Sequence, residues 1–207
     1  MEYFLLLVDK YYLILLRKAR VKNMVLLFLA DGFEEIEALT PVDVLRRAGV
    51  ELKTVAVGKG KEKTVIGSHK IPVTADLTMS EAIKLCREPE TVILPGGMPG
   101  SKNLDADPDV DSYLSDAFRR GALICAICAA PFILGKRGML KGKRATCFPG
   151  FENYLDGADY SGGRVETDGN FITACGMGAA TEFALAIIKK MKGESAANEL
   201  GLAILAK

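Results

Sequence analysis

Between residues 122 and 131 the chain reads ALICAICAAP, an order that few folds accommodate. Residues 122–127 form an apolar run with the length and composition of a strand buried on both faces. The run stops at Cys128, and Ala129, Ala130 and Pro131 come at once after it. Proline is tolerated in the first turn of a helix, so Cys128 is expected where a strand breaks sharply into a helix. Ala126 and Ala130, two places to either side, are small, as a tight strand-to-helix elbow requires. Such an elbow projects its central side chain towards the unpaired amides of the helix start. Those amides and the helix dipole favour a thiolate and lower the thiol pKa. The alternative is an ordinary buried cysteine.

The rest of the chain supplies a sheet for that strand. Apolar runs at 24–30, 51–57 and 91–94 read as further strands, each closed by turn residues. Thr40-Pro41-Val42-Asp43 reads as N-cap, N1 and capping carboxylate of a helix through Arg47, stopped by Gly49. Glu34 and Glu35 fit a separate first helical turn, solvated and complementing its dipole. Two short β-like pieces within 61–74 flank Gly67-Ser68, and a short helix begins at Ser80. Helical spacing runs over 109–120 to Gly121, the elbow's helix extends to Gly135, and 144–147 is strand-like. Pieces at 164–166 and 170–174 flank Asp168-Gly169 as a hairpin, and helices cover 179–191 and 195–205. Strands alternating with helices imply an α/β fold with a mostly parallel sheet covered on both faces. Ligands on such sheets bind beyond the carboxyl ends of the strands. Glu37, Gly96, Gly97 and Cys128 all come after such ends and should converge.

Composition narrows the function. The 207 residues suit one α/β domain, and a net charge of +1 gives no electrostatic case for nucleic acid or an anionic membrane. Five scattered cysteines suggest reduced thiols and a cytoplasmic location. The single histidine, His69, excludes most histidine-built metal sites and any second histidine as a catalytic base. Residues 1–23 differ in pattern from the rest of the chain: apolar patches at 3–8 and 11–16 precede the basic run RKARVK. The patches are too short for a membrane span, and their order is wrong for a signal peptide. A membrane-surface segment is the alternative to reading 1–23 as an N-terminal extension outside a single domain at 24–207.

At the predicted site, Gly96-Gly97 allow a close backbone approach that suits an oxyanion hole, with the Cys128 and Ala129 amides as its other half. Glu37 lies among Ile36, Ala38 and Leu39, so burial should keep its carboxyl neutral and able to donate to a thiolate. Cys125 and Cys128 form a C-x-x-C, but three residues of extended strand span roughly 10 Å. A disulfide needs Cα atoms within about 7 Å, so this pair is not read as a redox motif.

The stretches LADGFEEIEALTPVDVLRRAG, VILPGGMPG, ICAICAAP and ETDGNFITACGMGAATEFALAII together resemble the ThiJ/PfpI family, in the branch of the Parkinson-disease protein DJ-one and its bacterial relatives. The resemblance implies a flavodoxin-like three-layer sandwich of the class I glutamine-amidotransferase-like group, usually a homodimer. It implies that Cys128 is the reactive, oxidisable cysteine, that Glu37 is protonated and bonded to it, and that Gly96, Gly97 and Ala129 supply backbone oxyanion groups. Departures are informative. Ala129 stands where the peptidase-like branch has histidine, which argues against a Cys-His triad. Phe148 replaces the histidine before Pro149, leaving Glu37 to handle protons. His69 falls where the branch has an arginine near the dimer interface; it is read as an anion-stabilising group or a solvated hairpin histidine. Arg47 matches an interface arginine or is a surface charge, and Cys147 near the pocket is a candidate second oxidisable thiol. Cys86 and Cys175 are read as packing residues. The implied function is a cofactor-free glyoxalase or deglycase acting on methylglyoxal, glyoxal or their early adducts. The alternative is an oxidative-stress sensor in which Cys128 becomes a sulfinate.

Overall fold

Apolar runs with no polar side of their own can be satisfied only inside a sheet covered on both faces. The computed structural model describes residues 24–206, and the expected N-terminal extension 1–23 lies outside the described residues. In chain order the elements are β1 (Val25–Leu29), α1 (Glu35–Arg47), β2 (Leu52–Ala56), β3 (Thr64–Ile66), β4 (Pro72–Thr74), β5 (Leu77–Thr78) and α2 (Met79–Leu85). Next come β6 (Thr91–Leu94), α3 (Gly100–Ala106), α4 (Pro108–Arg120), β7 (Leu123–Ile127), α5 (Pro131–Lys136), β8 (Arg144–Ala145) and β9 (Asp159–Tyr160). The chain closes with β10 (Val165–Asp168), β11 (Phe171–Ala174), α6 (Ala180–Lys192) and α7 (Glu194–Ala203).

Seven strands form the main sheet in the order β10-β11-β7-β6-β1-β2-β5. Every neighbouring pair is parallel except β10–β11. β1, β6 and β7 are buried at every position. Successive side chains of β1 point to opposite faces. Leu26 and Phe28 join Ala82, Leu104, Leu114 and Ile133 from α2, α3, α4 and α5 in one core layer. Val25, Leu27 and Leu29 join Ala38, Leu45, Phe183, Ile187 and Ala197 from α1, α6 and α7 in the other. This is the three-layer, mostly parallel α/β architecture expected from the sequence.

Local readings fail where tertiary contacts override propensity. α1 is one helix from Glu35, with Pro41 inside it rather than at its start. Pro41 withholds a donor from the Glu37 carbonyl. The helix is nonetheless held upstream, where the Glu34 amide donates to the Gly96 carbonyl at 2.9 Å, and by its buried face of Ala38, Val42 and Leu45. α2 begins at Met79, capped by a reciprocal Thr78–Glu81 box. α3 has no clear apolar period and was not expected. The strand-like 144–147 shortens to β8, which pairs with β9.

The β3–β4 hairpin stands apart from the main sheet and reaches over the start of α1. The Gly32 amide donates to the Ile66 carbonyl at 2.7 Å and the Ser68 amide to the Phe33 carbonyl at 2.8 Å. Asp76, just after β4, accepts from the Thr54 amide at 2.8 Å, the Thr54 hydroxyl at 3.0 Å and Arg46 at 2.5 Å. Asp76→Ala leaves the buried Thr54 amide unpaired. Urea unfolding should show a loss of about 1–3 kcal/mol, and unchanged stability would contradict this role.

Candidate active site

Cys128 sits between β7 and the helix start at Pro131, with a left-handed φ of 64°. A non-glycine residue there costs about 1–3 kcal/mol and persists only where its surroundings enforce it. The enforcement is visible on both sides. The Cys128 amide donates to the Ala174 carbonyl at 2.8 Å, and the Cys128 carbonyl accepts from the Phe148 amide at 2.7 Å. Ala126, Ala129 and Ala130 are buried, so the small residues around the elbow are where the chain doubles back. The Ala129 and Gly97 amides hydrogen-bond the Cys128 sulfur.

The expected oxyanion groups therefore need correction. The Cys128 amide is committed to the sheet, and the Gly96 amide donates instead to Glu37 Oε2 at 3.0 Å. Ala129 and Gly97 remain facing the sulfur. Both glycines are required by space. A Cβ on Gly96 would overlap the Glu37 carboxyl and lie 2.6 Å from Cys128 Cβ. Gly97 has φ +89°, and a Cβ there would lie 2.6 Å from the Gly32 carbonyl oxygen.

Glu37 comes from the first turn of α1 and is almost wholly buried. It hydrogen-bonds Cys128 and accepts from the Gly96 and Met177 amides. Burial pushes its pKa up to about 7, and the charge of Glu34 adds to the rise. Cys128 is not lowered as the helix start alone would predict. Burial, then the charge of Glu37, push its thiol up, while the Ala129 and Gly97 amides pull it down. Two negative charges are strongly disfavoured in this pocket, so ionisation of one member opposes ionisation of the other. With the proton on Glu37, repulsion becomes a hydrogen bond donated to the thiolate.

Glu34 and Glu35 are not solvated. Glu35 is buried, accepting from the His69 amide at 2.8 Å and lying 2.9 Å from His69 Nδ1. Burial opposes its ionisation, but the bonds from His69 and Ser68 prevail and hold its pKa at about 2. Glu34 accepts from the Ser68 hydroxyl at 3.0 Å. His69 is exposed at its ring edge and anchored by Glu35, with its pKa raised by that bond and by the two carboxylates. Ligand atoms of Glu34, Glu35 and His69 lie within 4.8 Å of one another, the geometry of a metal-ligand group, and they already satisfy one another as an ion-pair cluster. His69 thus buttresses the turn that carries Glu37. These partners are more than thirty residues away in sequence, and no local pattern reveals them.

Arg47 lies at the far end of α1, about 15 Å along the helix from Glu37, and pairs with Asp43 at 2.7 Å. Phe148 is half-exposed and lies at the rim, 3.4 Å from where a Cβ on Gly176 would be. Cys147 is fully buried, and burial pushes its thiol up to about 12, which removes it as an accessible thiol. Cys86 is buried as expected, but Cys175 is partly exposed beside the elbow. The Met177 amide and Cys175 are site neighbours that sequence reasoning missed; the ACGMG stretch after a buried strand was their signal.

A profile of the DJ-1/PfpI family matches residues 23–190. The chain is 39% identical over 186 residues to the Parkinson disease protein 7 homolog of Danio rerio, covering 88% of this chain and 96% of that protein. It is 27% identical over 179 residues to the glutathione-independent glyoxalase DJ-1 of Schizosaccharomyces pombe, covering 84% and 94%. The structure of oxidized Toxoplasma gondii DJ-1 superposes with a TM-score of 0.83 at 31% identity, covering 88% of this chain and 98% of that one. This chain belongs to the DJ-1/PfpI family.

Proposed function

We propose that this protein is a cysteine-dependent, cofactor-free glyoxalase or deglycase acting on methylglyoxal, glyoxal or their early adducts. The observation that carries this reading is the buried Glu37 carboxyl, pushed up to about 7 and hydrogen-bonded to Cys128, with the Ala129 and Gly97 amides on the same sulfur. A glyoxalase-named relative supports the reaction class. The Cys128 thiolate adds to the aldehyde carbon, and Glu37 gives its proton to the new alkoxide to form a hemithioacetal. The Glu37 carboxylate then takes the proton from that carbon and returns one to the neighbouring carbon, while the hemithioacetal hydroxyl proton passes to the former carbonyl oxygen, so that the former carbonyl becomes an alcohol and the former aldehyde a thioester. Water cleaves the thioester, releasing lactate or glycolate and the Cys128 thiol. One carboxyl near neutrality can serve each transfer because it is equally able to give and to take.

A second reading uses the same atoms. The amides around Cys128 would also hold the oxygens of a sulfinate, which suits an oxidative-stress sensor. As to assembly, we assign a homodimer through α1 and the hairpin. Ile36, Leu39 and Ile71 are exposed there at 48%, 37% and 51% and line one cavity with Asp43 and Thr181. We place the protein in the cytoplasm on its reduced cysteines; among the described residues no helix is long and apolar enough to cross a membrane.

Methylglyoxal consumption with lactate detection tests the reading. Wild type should turn over, Cys128→Ser should be inactive, and Glu37→Gln should lose about 10²–10⁴-fold in kcat. An inert wild type would overturn the enzyme reading. Glu37 also links stability to pH. Its folded pKa of about 7 lies above the ordinary 4.5, so its contribution is full below about 4.5 and is lost as pH rises through 7. The Tm of wild type relative to Glu37→Gln should therefore fall between pH 5 and 8, whereas parallel curves would contradict a raised pKa.

A further inference from the structure

We propose that Phe148 is a specificity-determining residue, an aromatic wall that selects 2-oxoaldehydes with an aryl or bulky alkyl substituent over glyoxal. The inference rests on the reading of Cys128 and Glu37 as the reacting pair and names the substrate class within it.

Phe148 has no structural partner for its ring. It is 47% exposed and belongs to neither core layer. Nearby, Phe132, Phe151 and Tyr154 lie against one another with ring centroids 5.9–6.2 Å apart, whereas among the described residues Phe148 has no aromatic partner. The segment that carries it is nonetheless fixed. The Phe148 amide donates to the Cys128 carbonyl at 2.7 Å, and the Phe148 carbonyl accepts from the Phe151 amide at 3.1 Å. Two residues upstream, the Thr146 amide donates to the Thr173 hydroxyl at 2.9 Å and the Thr146 hydroxyl to the Gly163 carbonyl at 2.7 Å. An apolar ring on an anchored segment, left open to solvent beside reacting groups, is suited to meet an apolar part of a ligand.

The ring faces Glu37 across a gap of one group's thickness. A Cβ on Gly176 would lie 3.4 Å from Phe148 Cδ2 and 3.9 Å from Glu37 Oε1. Ring edge and carboxyl oxygen are thus at most roughly 7 Å apart, and an atom between them would touch both at ordinary contact distance. Glu37 Oε2 is held by the Gly96 amide, so Oε1 is the oxygen nearer Phe148. Gly96 fills the space between Glu37 and Cys128, and Ala129 and Ala130 are buried beneath the elbow. A substrate carbon bonded to the Cys128 sulfur and within reach of Glu37 is left with the Phe148 side for its substituent.

The surroundings of that gap are apolar or already paired. Met177, next to Gly176, is 55% exposed, and its amide bonds Glu37. Arg164 donates to the Gly178 carbonyl at 2.6 Å and to Glu182 at 2.9 Å. An aryl group placed here gains an offset or edge-on contact with Phe148, and a bulky alkyl group gains apolar burial. Glyoxal has only hydrogen in that position and gains neither. A single methylene in an apolar pocket changes kcat/KM by about 10–200-fold, and a wall open on one side should act at the low end of that range.

The test measures kcat/KM of the full chain for glyoxal, methylglyoxal and phenylglyoxal, with Phe148→Leu and Phe148→Asn beside wild type. The position is half-exposed, so both variants keep the fold. Wild type should favour phenylglyoxal over glyoxal by about tenfold. Phe148→Leu should keep most of that preference. Phe148→Asn should lose at least about threefold of it, chiefly through a higher KM for phenylglyoxal. Comparing this ratio between proteins cancels the intrinsic reactivity of each aldehyde. A wild type without the preference, or a smaller loss in Phe148→Asn, overturns the inference while turnover upholds the glyoxalase reading. A protein inert towards all three aldehydes overturns that reading, and binding then decides the inference. Mandelate and glycolate, the acids expected from phenylglyoxal and glyoxal, are compared as protectants of Cys128 against iodoacetamide. Protection by mandelate at about tenfold lower concentration, lost in Phe148→Asn, supports the apolar wall. Equal protection by the two acids, or none, overturns it.

Discussion

The Gly96 backbone passes between Glu37 and Cys128 at a distance that admits no side chain. Its amide holds one carboxyl oxygen of Glu37, and its α-carbon faces Cys128 Cβ. This close passage fixes the separation of a buried acid from a partly exposed thiol, and the surrounding structure supports it. β6 delivers Gly96, β7 delivers Cys128 and the first turn of α1 delivers Glu37. The three adjoin because β6 lies between β1 and β7 in the sheet. The parallel topology ends all three strands on one edge, where a left-handed cysteine can stand free of the ladder.

Within that geometry, burial is what makes the chemistry work. Water would stabilise two charges, whereas this pocket disfavours the second, so the acid stays protonated towards neutrality and can donate to the sulfur when the thiol gives up its proton. The Glu35–His69 cluster works in the opposite sense. It keeps a neighbouring buried carboxyl ionised by giving it a histidine and a serine, and so holds the turn that aims Glu37. Two nearby glutamates, one held near pKa 2 and one near 7, thus take different roles through their partners.

Much of this was legible in the sequence because it rests on short-range constraints. The elbow at Cys128 was written in ALICAICAAP, where a buried strand, small residues and a helix-starting proline succeed one another within ten positions. The sheet was legible from apolar runs that cannot be left half-exposed. What escaped was set by contacts distant in sequence. Pro41 looked like a helix start because the bond between Glu34 and Gly96 that begins α1 earlier is not visible locally. Glu35 looked solvated because its partner arrives on a hairpin. The division of labour between the Gly96 and Gly97 amides depends on turn geometry, and both glycines look alike in a string.

The account depends most on where the proton of the pair resides, and a ¹³C NMR titration of the Glu37 side-chain carboxyl, assigned by comparison with Glu37→Gln, measures it directly. The account predicts a carboxyl that stays protonated through pH 6 and titrates near 7. A Glu37 carboxyl that titrates at the ordinary 4.5 would show a charged acid beside a neutral thiol and would contradict the account.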